Sequence, residues 1–205
     1  MRPASHARRV DAALRCVPVS VRLPEVVPAG PVELRRPSGA EAAPVVDAMA
    51  ASRRELARWF AWAAAKPDVE AVRRRLEDRG RAFGTGDDYD FVMVEGATAA
   101  VVGSLRLDPQ AGPGVAGIGY WVRTDRHRRG HAAAATRAVT AATFEHLRHV
   151  ERIEIHMDQA NAASTGVARA AGFALDREVD REILAPGNTG RGFVWVMTRD
   201  RWRPQ

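Results

Sequence analysis

The sequence predicts a mixed α/β domain in which helices flank a central sheet. Three observations support this prediction. Apolar residues alternate with other residues in several short segments, as they do in half-buried strands. Elsewhere apolar residues recur every three or four positions behind helix-capping residues, which indicates amphipathic helices. The elements follow the order β-α-α-α-β-β-β-α-β-α-β-β, which fits neither a doubly wound parallel sheet nor a barrel.

The first half of the predicted domain contains one strand and three helices. An alternating segment that begins at Val32 predicts the strand, which Pro37 ends. Ser38 caps the first helix, and Glu41 completes a capping box with it. Lys66-Pro67 breaks the second helix and Asp68 caps the third. We expect the second and third helices at residues 52–65 and 68–82.

The second half alternates strands with two helices. The strand near Ile153 places Glu154, His156 and Asp158 on one face, because side chains alternate along a strand. Gly172 is a favourable residue for ending a helix. The predicted strands lie near residues 91–94, 101–107, 118–122, 153–157, 173–183 and 193–198, and the predicted helices near 130–148 and 162–171.

Charge and composition separate an N-terminal segment from the rest of the chain. The net charge is +6, and Lys66 is the single lysine among 31 basic residues. Residues 1–31 contain five prolines, and their five arginines and two acidic residues carry +3 of that charge. The segment lacks sustained periodicity and the apolar run of a secretory signal. We therefore expect a flexible extension at 1–31 and one domain at 32–202.

Composition also excludes several classes of protein. No stretch approaches the roughly 18 apolar residues of a membrane span, and the single Cys16 excludes a disulfide framework. The six histidines lack metal-ligand spacing, so we expect no metal site. No helix-turn-helix or aromatic–basic pattern indicates nucleic-acid binding. We expect a cytoplasmic protein, and a homodimer is possible.

A basic turn between a strand and a helix carries the main functional signal. Residues 119–132 read Gly-Tyr-Trp-Val-Arg-Thr-Asp-Arg-His-Arg-Arg-Gly-His-Ala. A helix that begins near Gly130 offers unpaired N–H groups and a partial positive charge, where a pyrophosphate can bind. Arg126, Arg128 and Arg129 add positive charge. An ordinary turn with solvated arginines is the alternative interpretation.

A second segment, residues 161–173, lies thirty residues further on. Asn161 occupies the position of a helix N-cap, and a capped helix without any ligand is the simplest interpretation. Taken together, however, the two segments resemble motifs A and B of the GNAT superfamily of acyl-CoA N-acyltransferases. Gly130 and Ala132 match motif A, whereas His127 and Arg128 depart from its usual residues. Asn161, Ser164 and Gly172-Phe173 match motif B.

Further residues resemble the RimJ/RimL branch of ribosomal-protein N-terminal acetyltransferases. A sequence pattern that is common in that branch resembles the spacing of Ser52, Leu56, Trp59 and Trp62. The resemblance covers about residues 32–201. It implies a GNAT-like fold with a mostly antiparallel central sheet. It also implies transfer of an acetyl group from acetyl-CoA to a primary amine, by direct attack in a ternary complex.

The resemblance also implies which residues hold acetyl-CoA. Asn161 is expected to hydrogen-bond the pantetheine, and the backbone N–H of Val122 is expected to stabilise the oxyanion. The backbone around the end of the central strand is expected to pair with the pantetheine, through Val122, Arg123 and Thr124. The backbone N–H groups expected to bind the pyrophosphate belong to Arg128, Arg129, Gly130, His131, Ala132 and Ala133.

Catalytic side chains are less clearly indicated. Ser164 lies where the family places a general acid, and a surface serine in the first turn of a helix is the alternative. Many relatives carry a glutamate at the position of Gly117, so the general base is open. Glu154, His156 and Asp158 are candidates, and His156 has a suitable ordinary pKa of about 6.5. A water relay without a dedicated base is an equal alternative.

The acceptor site is the least defined part of the sequence. Trp59, Trp62, Tyr120 and Trp121 are predicted to wall an acceptor pocket, with core packing as the alternative. The acceptor amine is either a protein N-terminus or a small molecule. Two other functions remain open: a non-catalytic acyl-CoA-binding module, because Gly117 replaces the glutamate, and a basic nucleic-acid-binding domain.

Overall fold

The structure is a computed structural model that describes residues 22–203. Within these residues one sheet has the strand order β1-β2-β3-β4-β5-β6-β8-β7. The strands are β1 Val26–Ala29, β2 Val32–Arg35, β3 Tyr89–Glu95, β4 Val101–Gly112, β5 Val115–Val122, β6 Arg152–Asp158, β7 Ala174–Asp180 and β8 Arg191–Thr198. The helices are α1 Ala42–Trp59, α2 Val69–Thr85, α3 His131–His146 and α4 Ala162–Ala170. This is the predicted mixed α/β architecture with a mostly antiparallel sheet.

One continuous helix replaces two of the three predicted helices. α1 extends without a break to Trp59, and only a 3-10 turn at Ala61–Ala64 follows it. The prediction of separate helices behind Ser38 and at 52–65 is therefore wrong. The physical reason is that no glycine or proline lies between Val45 and Trp59, so the helical hydrogen bonding continues.

The predicted helix caps are confirmed. The Ser38 side chain accepts a hydrogen bond from the Ala40 N–H, and the Ser38 N–H donates to the Glu41 carboxylate at 3.0 Å. This capping box sits on a 3-10 turn, Gly39–Glu41, directly ahead of α1. Asp68 accepts a hydrogen bond from the Ala71 N–H at 2.8 Å and so starts α2.

A strand lies outside the predicted domain boundary. β1 pairs antiparallel with β2, and Leu23 and Val27 are buried, so the structured part begins before Val32. The expectation of a flexible extension up to residue 31 is wrong for residues 23–31. Pro28 concealed this strand, but β1 is an edge strand, where a missing N–H is tolerated. Residues 1–21 of the predicted extension lie outside the described residues.

The sheet separates two apolar layers. Phe91 and Met93 of β3 face a large cluster that includes Val139 of α3, whereas Val92 and Val94 pack with residues of α1 and α2. The alternation along β3 thus presents apolar side chains to both faces of the sheet, with α3 in one cluster and α1 in the other. Because helices pack against both faces of the sheet, we expect a ligand to bind where two neighbouring strands separate.

Strands β5 and β6 diverge along their length. Among the strands of residues 22–203 they are the one parallel pair, and they hydrogen-bond in register only from Val115↔Arg152 to Gly117↔Glu154. Beyond Gly117 a gap opens between them, and α3 and α4 each follow one of the two strands. In the described part of the chain, no helix has the length and apolarity needed to cross a bilayer.

Candidate active site

A cavity of about 460 Å³ occupies the gap between β5 and β6. The diverging halves of both strands line it, together with the end of α1, the turn before α3 and one side of α4. Its walls therefore combine the two segments that the sequence singled out. They also include Glu55 of α1 and two residues of the β7–β8 loop, none of which a motif indicated.

The end of β5 presents one backbone donor to this gap. The Arg123 N–H donates to the Val102 carbonyl at 2.7 Å, toward β4. Because successive N–H groups of a strand point to opposite edges, the N–H and C=O of Val122 point away from β4 and toward the gap. The His127 Nε2–H donates to the Val122 carbonyl at 2.8 Å. The Val122 N–H is thus aimed at the place where β6 has separated.

The turn before α3 forms an open nest of N–H groups. Gly130 is the N-cap at φ +79°, no side chain caps the helix, and Arg128 also has a positive φ of +63°. The first described helical bond from this end is the Ala134 N–H to the Gly130 carbonyl at 2.9 Å. The N–H groups just before Ala134 therefore lack helical acceptors. A Cβ at Gly130 would meet nothing within 4 Å, so an anion has room there.

Two predicted coenzyme contacts have backbone N–H groups that are already bonded. The Arg123 N–H belongs to the β4–β5 ladder, and the Thr124 N–H donates to the Ser52 hydroxyl at 2.9 Å. The Arg123 guanidinium binds Asp47 at 2.5 Å and Asp125 at 2.9 Å. The pKa of Arg123 is raised, chiefly by the hydrogen bond to Asp47. Arg123 and Thr124 thus tie the turn to α1 and do not line the cavity.

A buried carboxylate beneath the turn was missed by the sequence analysis. Glu95 ends β3, and its carboxylate lies 3.2 Å from His131 Nε2 and 3.6 Å from nitrogens of both Arg126 and Arg129. A hydrogen bond from the Thr98 hydroxyl is the main cause that lowers the Glu95 pKa. The His131 side chain therefore packs inward against Glu95, so only its backbone N–H is available to a ligand. Arg129 lies outside the cavity lining.

Ser164 and Tyr120 meet across the gap. The Tyr120 hydroxyl lies 2.9 Å from Ser164 Oγ and 3.2 Å from the Ser164 carbonyl oxygen. Burial raises the pKa of Tyr120 to about 12, although the hydrogen bond with Ser164 opposes this shift. The Asn161 side chain accepts a hydrogen bond from the Ser164 N–H at 3.1 Å, which confirms Asn161 as the N-cap of α4.

The candidate bases on β6 are engaged by other groups. Burial raises the pKa of Glu154, but His156, Arg152 and Arg177 outweigh it, and the net shift is downward. His156 Nε2 lies 2.7 Å from Glu154 Oε2, although His156 does line the cavity.

Asp158 is similarly occupied. Burial raises its pKa, yet hydrogen bonds from the N–H groups of Thr189 at 2.7 Å and Ala160 at 2.9 Å give a net lowering. A carboxylate held in this way is a weak base. Because its oxygens hold Thr189, Asp158 fastens the β7–β8 loop to the end of β6.

The predicted aromatic wall is only partly present. Trp59, Tyr120 and Trp121 line the cavity, and Phe60 joins them without having been predicted. Trp62 does not line it. The Trp62 ring stacks on Phe60 with a distance of 5.5 Å between ring centroids. The residue is 39% exposed and borders a different, smaller pocket. The 3-10 turn after α1 swings Trp62 away, so its predicted pocket role does not match its position.

The β7–β8 loop closes one side of the cavity. The Gly187 N–H donates to the Arg58 carbonyl at 2.7 Å, at the end of α1. A Cβ on Gly187 would lie 2.6 Å from that oxygen, so only glycine permits this approach. Arg181 and Asn188 of the same loop line the cavity. No regular motif marks this loop, because its contact partner lies far away in the sequence.

Comparison with known protein families identifies the fold. Residues 32–174, more than half of the chain, match the model of the family described as "Acetyltransferase (GNAT) domain". The chain belongs to the GNAT acetyltransferase family. It is therefore an acetyl-CoA-dependent N-acetyltransferase, as the resemblance implied.

Solved structures of acetyltransferases share the fold at low sequence identity. Mycobacterium smegmatis RimJ in complex with CoA-disulfide is 24% identical, with a TM-score of 0.75 and 89% of each chain covered. RimL, the ribosomal L7/L12 alpha-N-protein acetyltransferase in complex with coenzyme A, is 18% identical with a TM-score of 0.77. That match covers 86% of this chain and 99% of RimL.

A third similar structure is an acetyltransferase of self-immunity. The microcin C7 self-immunity acetyltransferase MccE, in complex with acetyl-CoA and AMP, is 16% identical with a TM-score of 0.75. The match covers 85% of this chain and 98% of MccE. The curated proteins include no significant match to the chain. In the described part of this GNAT domain, no group of three or more His, Cys, Asp or Glu residues is placed to hold a metal ion.

Proposed function

We propose that the protein acetylates a primary amine by direct attack on acetyl-CoA in a ternary complex. One observation carries this proposal: the Val122 N–H and the Tyr120–Ser164 pair face the same gap, next to the open N-terminus of α3. A donor for an oxyanion, a hydroxyl for the leaving group and a site for a pyrophosphate are three of the requirements of the reaction.

Acetyl-CoA would bind with its pyrophosphate at the start of α3. The N–H groups from Arg128 to Ala133 are the expected donors, with Gly130 giving the anion its closest approach. Arg126 and Arg128, which line the cavity, would supply positive charge. The pantetheine would then follow the free edge of β5 near Val122, with Asn161 on the opposite side of the gap.

The acetyl group would pass directly to the amine. The acceptor nitrogen forms a bond to the thioester carbon, and the carbonyl oxygen becomes an oxyanion opposite the Val122 N–H. As the carbon–sulfur bond breaks, the Ser164 hydroxyl gives its proton to the sulfur of coenzyme A, and Ser164 Oγ regains a proton from the water that takes up the proton of the amine. Tyr120 stays protonated at neutral pH because its pKa is about 12, so it can donate to Ser164 Oγ.

The nitrogen must also lose a proton. Glu154 and Asp158 are poor acceptors, because their lowered pKa values favour the carboxylate without a proton. Water in the open cavity is the acceptor that the site favours. His156 is the remaining candidate among the three β6 side chains, since it lines the cavity.

The acceptor is either a protein N-terminus or a small amine. The similarity to RimJ and RimL favours a protein N-terminus, since RimL acts on ribosomal L7/L12. A panel of N-terminal peptides, amino acids and polyamines tests this, with thiol release from acetyl-CoA as the measurement. Calorimetry with acetyl-CoA is done in parallel. If acetyl-CoA binds but no amine in the panel causes thiol release, the proposed reaction is wrong, and the result favours a non-catalytic acyl-CoA-binding module.

A further inference from the structure

Glu55 is a carboxylate in the wall of the cavity that neither motif accounts for. It lies in the last turns of α1 and lines the cavity together with Trp59 and Phe60. Its Oε1 accepts a hydrogen bond from the Trp59 indole N–H at 3.1 Å. This bond holds the carboxylate and the indole ring against each other on the side of the cavity formed by α1.

The second oxygen of Glu55 has no partner among the residues that the structure describes. No Lys, Arg or His nitrogen in that part of the chain lies within 4.0 Å of the Glu55 carboxylate. The neighbouring Arg58 stacks on the Trp59 ring instead, with its guanidinium carbon 4.9 Å from the ring centroid. Arg181, which also lines the cavity, forms no ion pair with Glu55 either.

Glu55 differs in this respect from the other acidic residue of the cavity wall. The Asp158 oxygens accept hydrogen bonds from Thr189 and Ala160. A carboxylate beside aromatic rings, where water is partly displaced, is a favourable place for an ammonium group, because the weaker screening strengthens the attraction.

We propose that Glu55 binds the ammonium group of the acceptor and so selects the acceptor class. This inference rests on the proposed function. The acceptor is then a primary amine that enters as a cation and carries an apolar group next to its nitrogen, which packs on Trp59 and Phe60. The phosphates of acetyl-CoA bind at the start of α3, so the two substrates meet opposite charges in different parts of the cavity.

The test replaces Glu55 by glutamine. Gln can still accept the Trp59 indole hydrogen bond, so the variant removes the negative charge and keeps the ring in place. The probes are phenethylamine and an alanyl tripeptide amide, with thiol release as the readout. We expect the KM for both amines to rise about ten-fold or more and the KM for acetyl-CoA to stay within about two-fold.

Glu145→Gln is the matched control, because Glu145 is an exposed helical glutamate outside the cavity. It should leave both KM values unchanged. Unchanged amine KM values in Glu55→Gln would overturn the assignment while the proposed function stands. Failure of the wild type to acetylate either probe would also overturn it. Thiol release with other amines of the panel separates that failure from failure of the proposed function.

Discussion

The two ends of the cavity are built in different ways. At the proposed coenzyme end, the groups aimed at the cavity are backbone N–H groups of Val122 and of the turn at Gly130, which follow one another along the chain. At the proposed acceptor end, the side chains of Arg58 and Trp59 lie beside Gly187 of the β7–β8 loop, and the Gly187 N–H donates to the Arg58 carbonyl across a separation of more than one hundred residues. A backbone site depends on local geometry, whereas a side-chain site depends on distant packing.

The largest expected effect is at the coenzyme end. Gly130→Glu places a carboxylate at the anion nest and forces a side chain to adopt φ near +79°, so acetyl-CoA binding should be lost at millimolar ligand. Calorimetry measures this. Gly30→Glu is the matched control, because Gly30 also has a positive φ, +63°, and open space around it, but lies in the β1–β2 hairpin. Equal affinity in the two variants would refute the coenzyme assignment.

The next effect separates chemistry from binding. Ser164→Ala should lower kcat by about 100-fold if Ser164 is the general acid, while the affinity for acetyl-CoA stays within about two-fold. Tyr120→Phe should have a smaller effect of the same kind. Because the two hydroxyls are in contact, the double variant should lose less than the product of the single losses. Multiplicative losses would mean that the two residues act independently.

A smaller effect is expected at the acceptor end. The Cβ of Gly187→Ala would lie 2.6 Å from the Arg58 carbonyl, so the β7–β8 loop must move away from α1. We expect the KM for the amine to rise about five-fold, with acetyl-CoA affinity unchanged. Gly112→Ala is the control, since its Cβ would be at an ordinary 3.6 Å from Val115. A change in acetyl-CoA affinity instead would show that the two ends are coupled.

The smallest effect concerns the support beneath the turn. Glu95→Gln should weaken acetyl-CoA binding about three-fold, because Arg126 and Arg129 lose an anchor. The Glu95 pKa is lowered on folding, so its carboxylate stabilises the fold above its ordinary pKa, and this contribution is lost as the pH falls through the lowered value. Chemical unfolding of both proteins at pH 7 and pH 3.5 checks this. A stability difference that persists undiminished at pH 3.5 would contradict it.

Local sequence patterns predicted most of the fold. The caps at Ser38, Asp68 and Asn161 act where they were expected, because each depends on contacts within three residues. β1 was missed because its proline is acceptable only at the sheet edge, and edge position is a property of the whole sheet. The supposed break within α1 was absent, since no residue there disfavours a helix.

The candidate site likewise contains some residues that the local sequence predicted and others that only the tertiary structure revealed. Gly130, Asn161 and Ser164 could be read from the sequence, because a strand–turn–helix segment carries its own geometry. Glu95 and Glu55 could not be selected from the other glutamates, since their burial and neighbours depend on how β3 and α1 pack against the rest of the molecule.

The sequence by itself determined the order of most elements, the nest of N–H groups at the start of α3 and the membership of the GNAT family. These features arise from backbone conformation and capping over a few residues. The tertiary structure alone decided that Tyr120 reaches Ser164 and that Trp62 points away from the cavity. It also decided that Glu55 faces the cavity. Each of these depends on distances between segments far apart in the chain, which only the packed sheet and helices define.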